Sequence, residues 1–216
     1  MKRTKEQSGR LKSAKEFRRL DQMGYSCLRI FEQNGSQSNG LPTLSGSAIP
    51  LINETVEINN ISISISPEQV TKTIKGDNRT KQDKIVTGYN GTITFYGISD
   101  AALAKITANR IDTNGLVLFR RVAGGNPTVT LFCQVEGEKG DKANLWLLDC
   151  EFDNPTIEHG QEEDNPKSMS MNFFVSNRTV VGDELFFIKV PSTAAAYVAP
   201  GTEPTTSNLP VPVAAS

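Results

Sequence analysis

The chain has 216 residues, which is enough for one domain with a single buried core and loose ends. Its 23 Lys and Arg residues nearly balance 24 Asp and Glu residues, so the formal net charge of -1 gives no global preference for nucleic acid or an anionic membrane. No segment approaches the roughly 20 apolar residues that cross a bilayer, and no apolar secretory segment follows the charged N-terminus. We therefore expect synthesis in a cytosol and no membrane insertion by this chain.

Composition divides the chain into three parts. Residues 1–23 form a basic N-terminal extension with a weak helical pattern, which is either a solvated tail or an anion-binding arm. Residues 24–190 carry the turn signals and alternating apolar patterns of a β domain. Residues 191–216 are rich in Pro, Ala and Thr, and we predict a flexible C-terminal tail because this composition is a poor candidate for a packed core.

The β domain begins with a short predicted strand, residues 25–32, which leads into residues 34–42. The Gly, Asn, Ser and Pro content of this second segment predicts a surface loop.

A long β-hairpin is predicted within residues 60–100. Its first strand alternates strictly between Ile and Ser, which places the Ile side chains on a core face. The opposite face is polar but uncharged at Ser62, Ser64 and Ser66. Pro67 cannot donate to a central ladder, so we predict a break, a bulge or a sheet edge at this position.

The two strands of the hairpin are joined by a charged segment that we predict to be a mobile arm. The arm starts near Pro67, and the chain returns to a regular alternating strand by Thr92. Its central residues are Lys75, Gly76, Asp77, Asn78, Arg79, Thr80, Lys81, Gln82, Asp83 and Lys84.

One short helix and several further strands follow the hairpin. Ser99 and Asp100 can cap a helix whose apolar stripe reaches Ala108. Turn signals then join the three strands of a predicted meander, and two later strands follow a polar, acidic segment. The predicted meander strands are residues 116–122, 128–136 and 143–152, and the later strands are residues 168–173 and 185–190.

Catalytic and metal-binding groups do not converge in the sequence. His159 is the sole histidine, and no second strong ligand stands at metal-type spacing from it, so we predict a solvated side chain. Glu162, Glu163 and Asp164 lie in a polar loop, with Asp153 nearby in sequence. We predict solvated carboxylates there, with a Ca²⁺ site or a glycosidase-like acid and base as alternatives. The sequence therefore predicts no catalytic residue, metal site or cofactor.

The cysteines and the single tryptophan favour structural roles. Cys27, Cys133 and Cys150 are odd in number and lack metal-type spacing, which predicts reduced and mostly buried thiols. Trp146 stands among Leu residues, which favours a core or subunit-interface position. Stacking on a sugar or a base is the alternative for this side chain.

Four features follow one another along residues 56–106. They are the Ser-rich alternating strand, the charged Gly-Asp-Asn loop, the strand Gly-Tyr-Asn-Gly-Thr-Ile-Thr-Phe and the helix Ser-Asp-Ala-Ala-Leu-Ala-Lys-Ile. In this order they resemble the major tail tube proteins of long, non-contractile-tailed bacteriophages and prophages. The resemblance covers mainly residues 56–106, and a compatible meander continues to residue 152. It implies an all-β fold, a β-sandwich or barrel-like tail tube fold with one short flanking α-helix and a long β-hairpin arm.

The same resemblance implies a structural subunit of a phage tail tube. In that family six subunits close a ring, and stacked rings enclose a channel for DNA. The implied partners are further copies of the chain, tape-measure, initiator and terminator proteins, and double-stranded DNA in transient, non-specific passage. The implied place is the virion tail, assembled in the host bacterial cytoplasm, and the resemblance carries over no catalytic residue.

Two surfaces gain a hypothetical role from the resemblance. The arm would order against an adjacent ring, as mobile polar segments do on contact. The serine face would line a channel that avoids gripping phosphates, or else it would face bulk solvent. The resemblance requires neither the basic N-terminus nor the Pro-rich tail.

Other functions remain as alternatives. A tail terminator, a head-tail connector or the inner tube of a contractile device would have a similar β-rich composition. From a different class, a carbohydrate- or host-surface-binding β-sandwich would use Trp146, Tyr89 and Tyr96 as an exposed aromatic platform. An enzyme ranks third because titratable groups do not converge.

Overall fold

The computed structural model describes residues 24–51, 62–76, 79–95, 98, 100–107, 109–114, 116–118, 125–136, 141–154 and 169–213. Over these residues the fold is all-β with one short helix, as the sequence predicts. The strands are β1 (Gly24–Ser36), β2 (Pro42–Pro50), β3 (Ser62–Gly76), β4 (Arg79–Phe95), β5 (Arg110–Ile111), β6 (Val117–Leu118), β7 (Thr128–Glu136), β8 (Lys142–Phe152), β9 (Met169–Ser176), β10 (Arg178–Val180), β11 (Asp183–Leu185) and β12 (Phe187–Pro191). The helix α1 is Asp100–Ile106, and a single 3-10 turn is Thr206–Asn208.

Eight strands form one antiparallel sheet. Its order is β2-β1-β7-β8-β9-β4-β3, and β12 pairs with β8 beside this path. One side of β8 pairs with β7 along nearly its whole length. Its other side pairs with β12 in the first part of the strand and with β9 in the last four residues. Because β8 joins both parts of the sheet, the β9-β4-β3 part can fold over the β1-β7-β8 part and enclose a core.

The first core lies between these two parts of the sheet. Alternation along β7 turns Leu131 and Cys133 toward it, and alternation along β3 turns Ile63 and Ile65 toward it from the opposite side. The helix α1 adds Ala102 and Ile106 at one side. The predicted alternation of Ile and Ser therefore positions the hairpin as one wall of a sandwich.

A second core covers the other face of β1, β7 and β8. Phe31, Phe132 and Trp146 are fully buried in it. The chain after β12 covers these rings, with Val198 and Leu209 inserted among them. The central strands are thus buried on both faces.

The prediction of a flexible tail beyond Pro191 is wrong for residues 191–213. Two adjacent buried side chains of the central strands, Gln134 and Asn144, bind the main chain of this segment. Gln134 donates to the Val198 carbonyl at 3.0 Å. Asn144, with its amide oriented to satisfy both groups, donates to the same carbonyl at 3.3 Å and accepts from the Val198 N–H at 2.6 Å. These amides replace the missing ladder partners, so a Pro-rich segment packs without being a strand.

An ion pair holds the same segment farther along. The Arg29 side chain on β1 is 6% exposed and grips the Glu203 carboxylate with two nitrogens, one of them at 3.0 Å. This forked geometry is the strong form of a charge pair and satisfies a guanidinium that the fold has buried.

Three other element predictions need correction. The segment 34–42, predicted as a loop, is strand as far as Ser36, and β2 follows it where no strand was predicted. The predicted meander loses its first strand, because β6 pairs with β5 and the second neighbour of β7 is β1. The short hairpin of β10 and β11 was also not predicted.

Candidate assembly surface

The outer face of β3, β4 and β9 is a continuous polar surface without charge at its centre. Ser64, Thr92 and Asn172 stand side by side in register across the three strands. The neighbouring rows add residues of the same kind and one aromatic ring, Phe174 beside Asn90, and all of these residues are exposed or half-buried. The neutral face, as we call it, comprises Ser64, Ser66, Asn90, Thr92, Thr94, Ser170 and Asn172.

Cross-strand hydrogen bonds order this neutral face. The Thr92 hydroxyl donates to the Asn172 side-chain oxygen at 2.9 Å, and the Thr94 and Ser170 hydroxyls lie 3.2 Å apart. Such Thr and Ser pairs are favourable sheet contacts. Because its groups partly satisfy one another, the face offers dipoles but no charge to a molecule passing over it.

The sequence identified one strand of the neutral face and missed the other two. Ser64 and Ser66 are exposed, as predicted. Ser62 is in β3 opposite Thr94, but its side chain lies outside the described residues. A usable signal was present on those strands, because Asn and Thr on β4 and Ser and Asn on β9 also alternate with buried residues. Taken together with the Ile and Ser strand, this alternation would have predicted the polar face.

Two glycines of β4 pack closely against phenylalanine rings of β9. A Cβ atom at Gly91 on β4 would overlap the ring of Phe173 on β9, which lies on the core side. On the opposite, outer face, a Cβ atom at Gly88 would overlap the ring of Phe174, which alternates with the buried Phe173. The glycines leave space that the rings of the adjacent strand occupy.

Among the described strands, β3 is a free edge of the sheet beside the neutral face, since it pairs with β4 alone. Pro67 lies on this edge, and a register shift follows between Glu68 and Gln69. Both the edge position and the bulge agree with the prediction made from Pro67.

The arm continues the hairpin beyond the sheet as a two-stranded ribbon. β9 supports β4 only from Tyr89 onward, whereas β3 and β4 remain paired as far as Gly76 and Arg79. Of the predicted arm residues, Asp77 and Asn78 lie outside the described residues, and the others extend the two strands in place of a loop.

The described part of the arm exposes apolar side chains. Val70 and Ile85 face each other in register and are 55% and 50% exposed. An isolated two-stranded ribbon is marginally stable in water, and an exposed apolar pair adds to its need for a partner. A second small ribbon, β5 with β6, also exposes apolar side chains, at Ile111 and Leu118.

The proposed aromatic platform is not assembled by the described residues. Trp146 is fully buried, with its ring centroid 5.5 Å from that of Phe31 and 4.8 Å from that of Phe132. Tyr89 packs edge-on against Phe186, and burial raises its pKa. Tyr96 lies outside the described residues. Trp146 therefore has the core position favoured by its neighbours and cannot stack on a ligand.

The best-formed charged cluster is structural. Arg178 on β10 binds the Asp149 carboxylate on β8 at 2.9 Å, the Gln33 side-chain oxygen on β1 at 3.0 Å and the Ser36 hydroxyl at 2.9 Å. This network fixes the β10–β11 hairpin across two central strands. It leaves little of either charge available to a ligand, since both side chains are mostly buried.

The single histidine and three of the acidic candidates lie outside the described residues. His159, Glu162, Glu163 and Asp164 fall in a segment that the structure does not describe. Within the described ranges, no group of three His, Cys, Asp or Glu side chains could hold a metal ion.

No described helix is long and apolar enough to cross a membrane.

The three cysteines are free, as predicted. Burial in the first core raises the pKa of the Cys133 and Cys150 thiols well above the ordinary value. These thiols stay protonated and serve as small apolar side chains.

Comparison with known proteins found no family model that matches this chain and no curated protein with significant sequence similarity.

Proposed function

We propose that this protein is a structural subunit of a phage tail tube, assembling with copies of itself into stacked rings around a DNA channel. The observation that carries the proposal is the neutral face beside a free sheet edge. Six copies per ring, the virion as its place, and tape-measure, initiator and terminator proteins as partners come from the resemblance alone.

The chemistry of the neutral face suits the wall of a DNA channel. A lysine or arginine in such a wall would neutralise phosphates and hold DNA by releasing counterions. Hydroxyl and amide groups lack that long-range attraction. Ser64, Thr92 and Asn172 would give a passing duplex only short-lived contacts.

The free edge supplies a means of assembly. Unpaired N–H and C=O groups on β3 favour pairing with another strand, and a second copy of the chain is the partner of matched geometry. If β3 meets a different edge of the next copy, the contact is heterologous, and such contacts form a closed ring when the rotation between copies closes. β2, which pairs with β1 alone among the described strands, is one such edge.

The arm supports contact between rings. Its two strands project beyond β9, and the apolar side chains of Val70 and Ile85 are exposed to solvent. Ordering against a neighbouring copy would cover these side chains. In this proposal the predicted arm residues, Lys75 to Lys84, determine whether rings stack.

The proposal is tested by negative-stain electron microscopy of the purified chain, alone and with its tail partners, at low and high concentration and with light-scattering mass measured alongside. Hollow rings or tubes are expected. A monomer under every one of these conditions would refute the proposal.

The carbohydrate-binding alternative has its own test. Sugars should leave the fluorescence of Trp146 unchanged, since its ring is buried.

Deleting residues 75–84 tests the arm separately. The fold should survive, because the described arm strands pair only with each other beyond Tyr89. Rings that no longer stack would support the proposed role. Normal tubes from the deletion variant would exclude a role for residues 75–84 while leaving the subunit proposal intact.

A further inference from the structure

The chain contains four Asn-Gly dipeptides, at residues 34–35, 39–40, 90–91 and 114–115. In such a pair the glycine backbone nitrogen can attack the side-chain carbonyl carbon of the asparagine. Ammonia leaves as a cyclic succinimide forms, and water then opens the ring to aspartate or isoaspartate. The net reaction exchanges an amide nitrogen for a water oxygen and adds one negative charge. It needs only water, and it requires the backbone to bring the two atoms together.

The pair at Asn39 and Gly40 is held by hydrogen bonds that restrain it from this attack. The Asn39 side-chain oxygen accepts from the Leu41 N–H at 3.0 Å. The Gly40 N–H donates to the Gln37 carbonyl at 3.0 Å, and the Gly40 carbonyl accepts from Arg178 at 3.2 Å. The nitrogen that would attack and the side chain that it would attack are therefore both held by other hydrogen bonds.

The pair at Asn90 and Gly91 is held by strand pairing on both sides. Asn90 stands opposite Ser66 on β3 and Phe174 on β9. Gly91 is flanked in the same way and lies under the Phe173 ring. Two ladders would have to open before the Gly91 nitrogen could reach the Asn90 side chain.

The pair at Asn34 and Gly35 lacks these restraints. It falls in a register irregularity, since β1 pairs with β2 at Gln33 and next at Ser36, while pairing with β7 ends at Glu32. Asn34 is exposed, Gly35 has a φ of 86°, and no atom lies within 4 Å of the position a Cβ would take there. Neither residue has a partner in these two ladders.

We propose that Asn34 is a site of deamidation in the folded protein and that the fold protects Asn39 and Asn90. Asn90 belongs to the neutral face, so its protection keeps that surface uncharged with time. The proposal does not depend on the proposed function. The ranking covers the three pairs that the structure describes completely, since Gly115 lies outside the described residues.

The experiment follows deamidation by peptide-mapping mass spectrometry of the full chain, kept at mildly alkaline pH either folded or in concentrated urea. In urea the three sites should convert at similar rates, because each precedes a glycine. In the folded protein Asn34 should stay within a few-fold of its urea rate, whereas Asn39 and Asn90 should slow by more than about tenfold, as local opening becomes necessary. Folded Asn90 or Asn39 reacting as fast as Asn34 would overturn the proposal, as would an equally protected Asn34.

A matched variant checks the assignment by charge. With Asn114 replaced by Gln in both proteins, Asn34→Gln should remove most of the acidic species that the folded parent accumulates, when both are followed by isoelectric focusing. Asn90→Gln should leave that accumulation unchanged. The opposite pattern would place the reactive site in the neutral face and contradict the inference.

Discussion

At the residue scale, the contact of Gly91 with Phe173 shows how little space the sheet allows. The glycine lies on a strand that is paired on both sides, and the Phe173 ring fills the place of its missing side chain. A single methyl group must therefore displace a buried ring or bend the ladder.

Gly91→Ala is expected to lower the free energy of unfolding by about 1 to 3 kcal/mol, the usual effect of overpacking a core. Chemical denaturation measures the change. Asn90→Ala, one residue away on the exposed face, should change it by less than about 0.5 kcal/mol. Adding Phe173→Leu to Gly91→Ala should cost less than the sum of the two single changes. Strict additivity would show that the ring is not the obstacle.

The buried thiols make stability depend on alkaline pH. Burial raises the pKa of Cys133 and Cys150, so the folded chain keeps protons that the unfolded chain releases. Stability is then complete below the ordinary thiol pKa of 9.0 and falls as the pH rises above it.

Above that pH, each thiol should reduce the free energy of unfolding by up to about 1.4 kcal/mol per pH unit. Urea unfolding measured at several alkaline pH values reports this slope. The double variant Cys133→Ala and Cys150→Ala should be less stable at neutral pH yet show a shallower slope. An unchanged slope would assign the alkaline loss to other groups.

At the element scale, the segment after β12 behaves as part of the domain. It supplies Val198 and Leu209 to the second core and is fixed by buried amides and by Arg29. Two valines of this segment differ only in environment, because Val198 is 3% exposed and Val213 is 91% exposed.

Val198→Ala should therefore cost about 1 to 3 kcal/mol of unfolding free energy, through lost burial and a residual cavity. Val213→Ala should stay within about 0.5 kcal/mol of wild type. Thermal or chemical unfolding distinguishes the two. Equal small effects would mean that the segment is not part of the cooperative structure.

Sequence patterns predicted the elements that carry their own periodicity or turns. The range 128–136 matches β7, since a turn signal precedes it and glycines follow it. β2 was missed because its burial does not alternate and Gly46 interrupts it. The C-terminal segment was missed because its core residues are isolated in sequence. The amide that holds Val198 comes from Gln134, 64 residues away, and no local pattern encodes such a contact.

The neutral face, like the fold, was predictable from the sequence only where a single strand carries its own alternation. Alternation in the Ile and Ser strand gave the exposed Ser64 and Ser66. The register that brings Thr92 and Asn172 alongside depends on long-range pairing, and one sequence does not determine that pairing.

At the scale of the whole molecule, two cores share one set of strands. β1, β7 and β8 bury Leu131 and Leu145 on one face and Phe132 and Trp146 on the other. Neither core can lose these strands without exposing the other, so the described domain should unfold as one unit.

Trp146 fluorescence reports the second core, whereas far-UV circular dichroism reports the entire sheet. The two unfolding curves should have the same midpoint in denaturant. A fluorescence transition at lower denaturant would show that the C-terminal layer detaches first. In that case the two cores would be separate cooperative units.

The bulge opposite Glu68 and Gln69, where Thr87 is the extra residue on β4, also has a mechanical consequence. It lies one residue pair from the position where support by β9 ends, and eight paired positions of β3 continue beyond it. At about 3.3 Å per residue these positions form a lever roughly 26 Å long. A change of about 10° in direction at the bulge sweeps the tip through about 4 to 5 Å, close to one strand spacing. The direction in which the whole arm points is therefore set at its base, by the single residue inserted at the bulge.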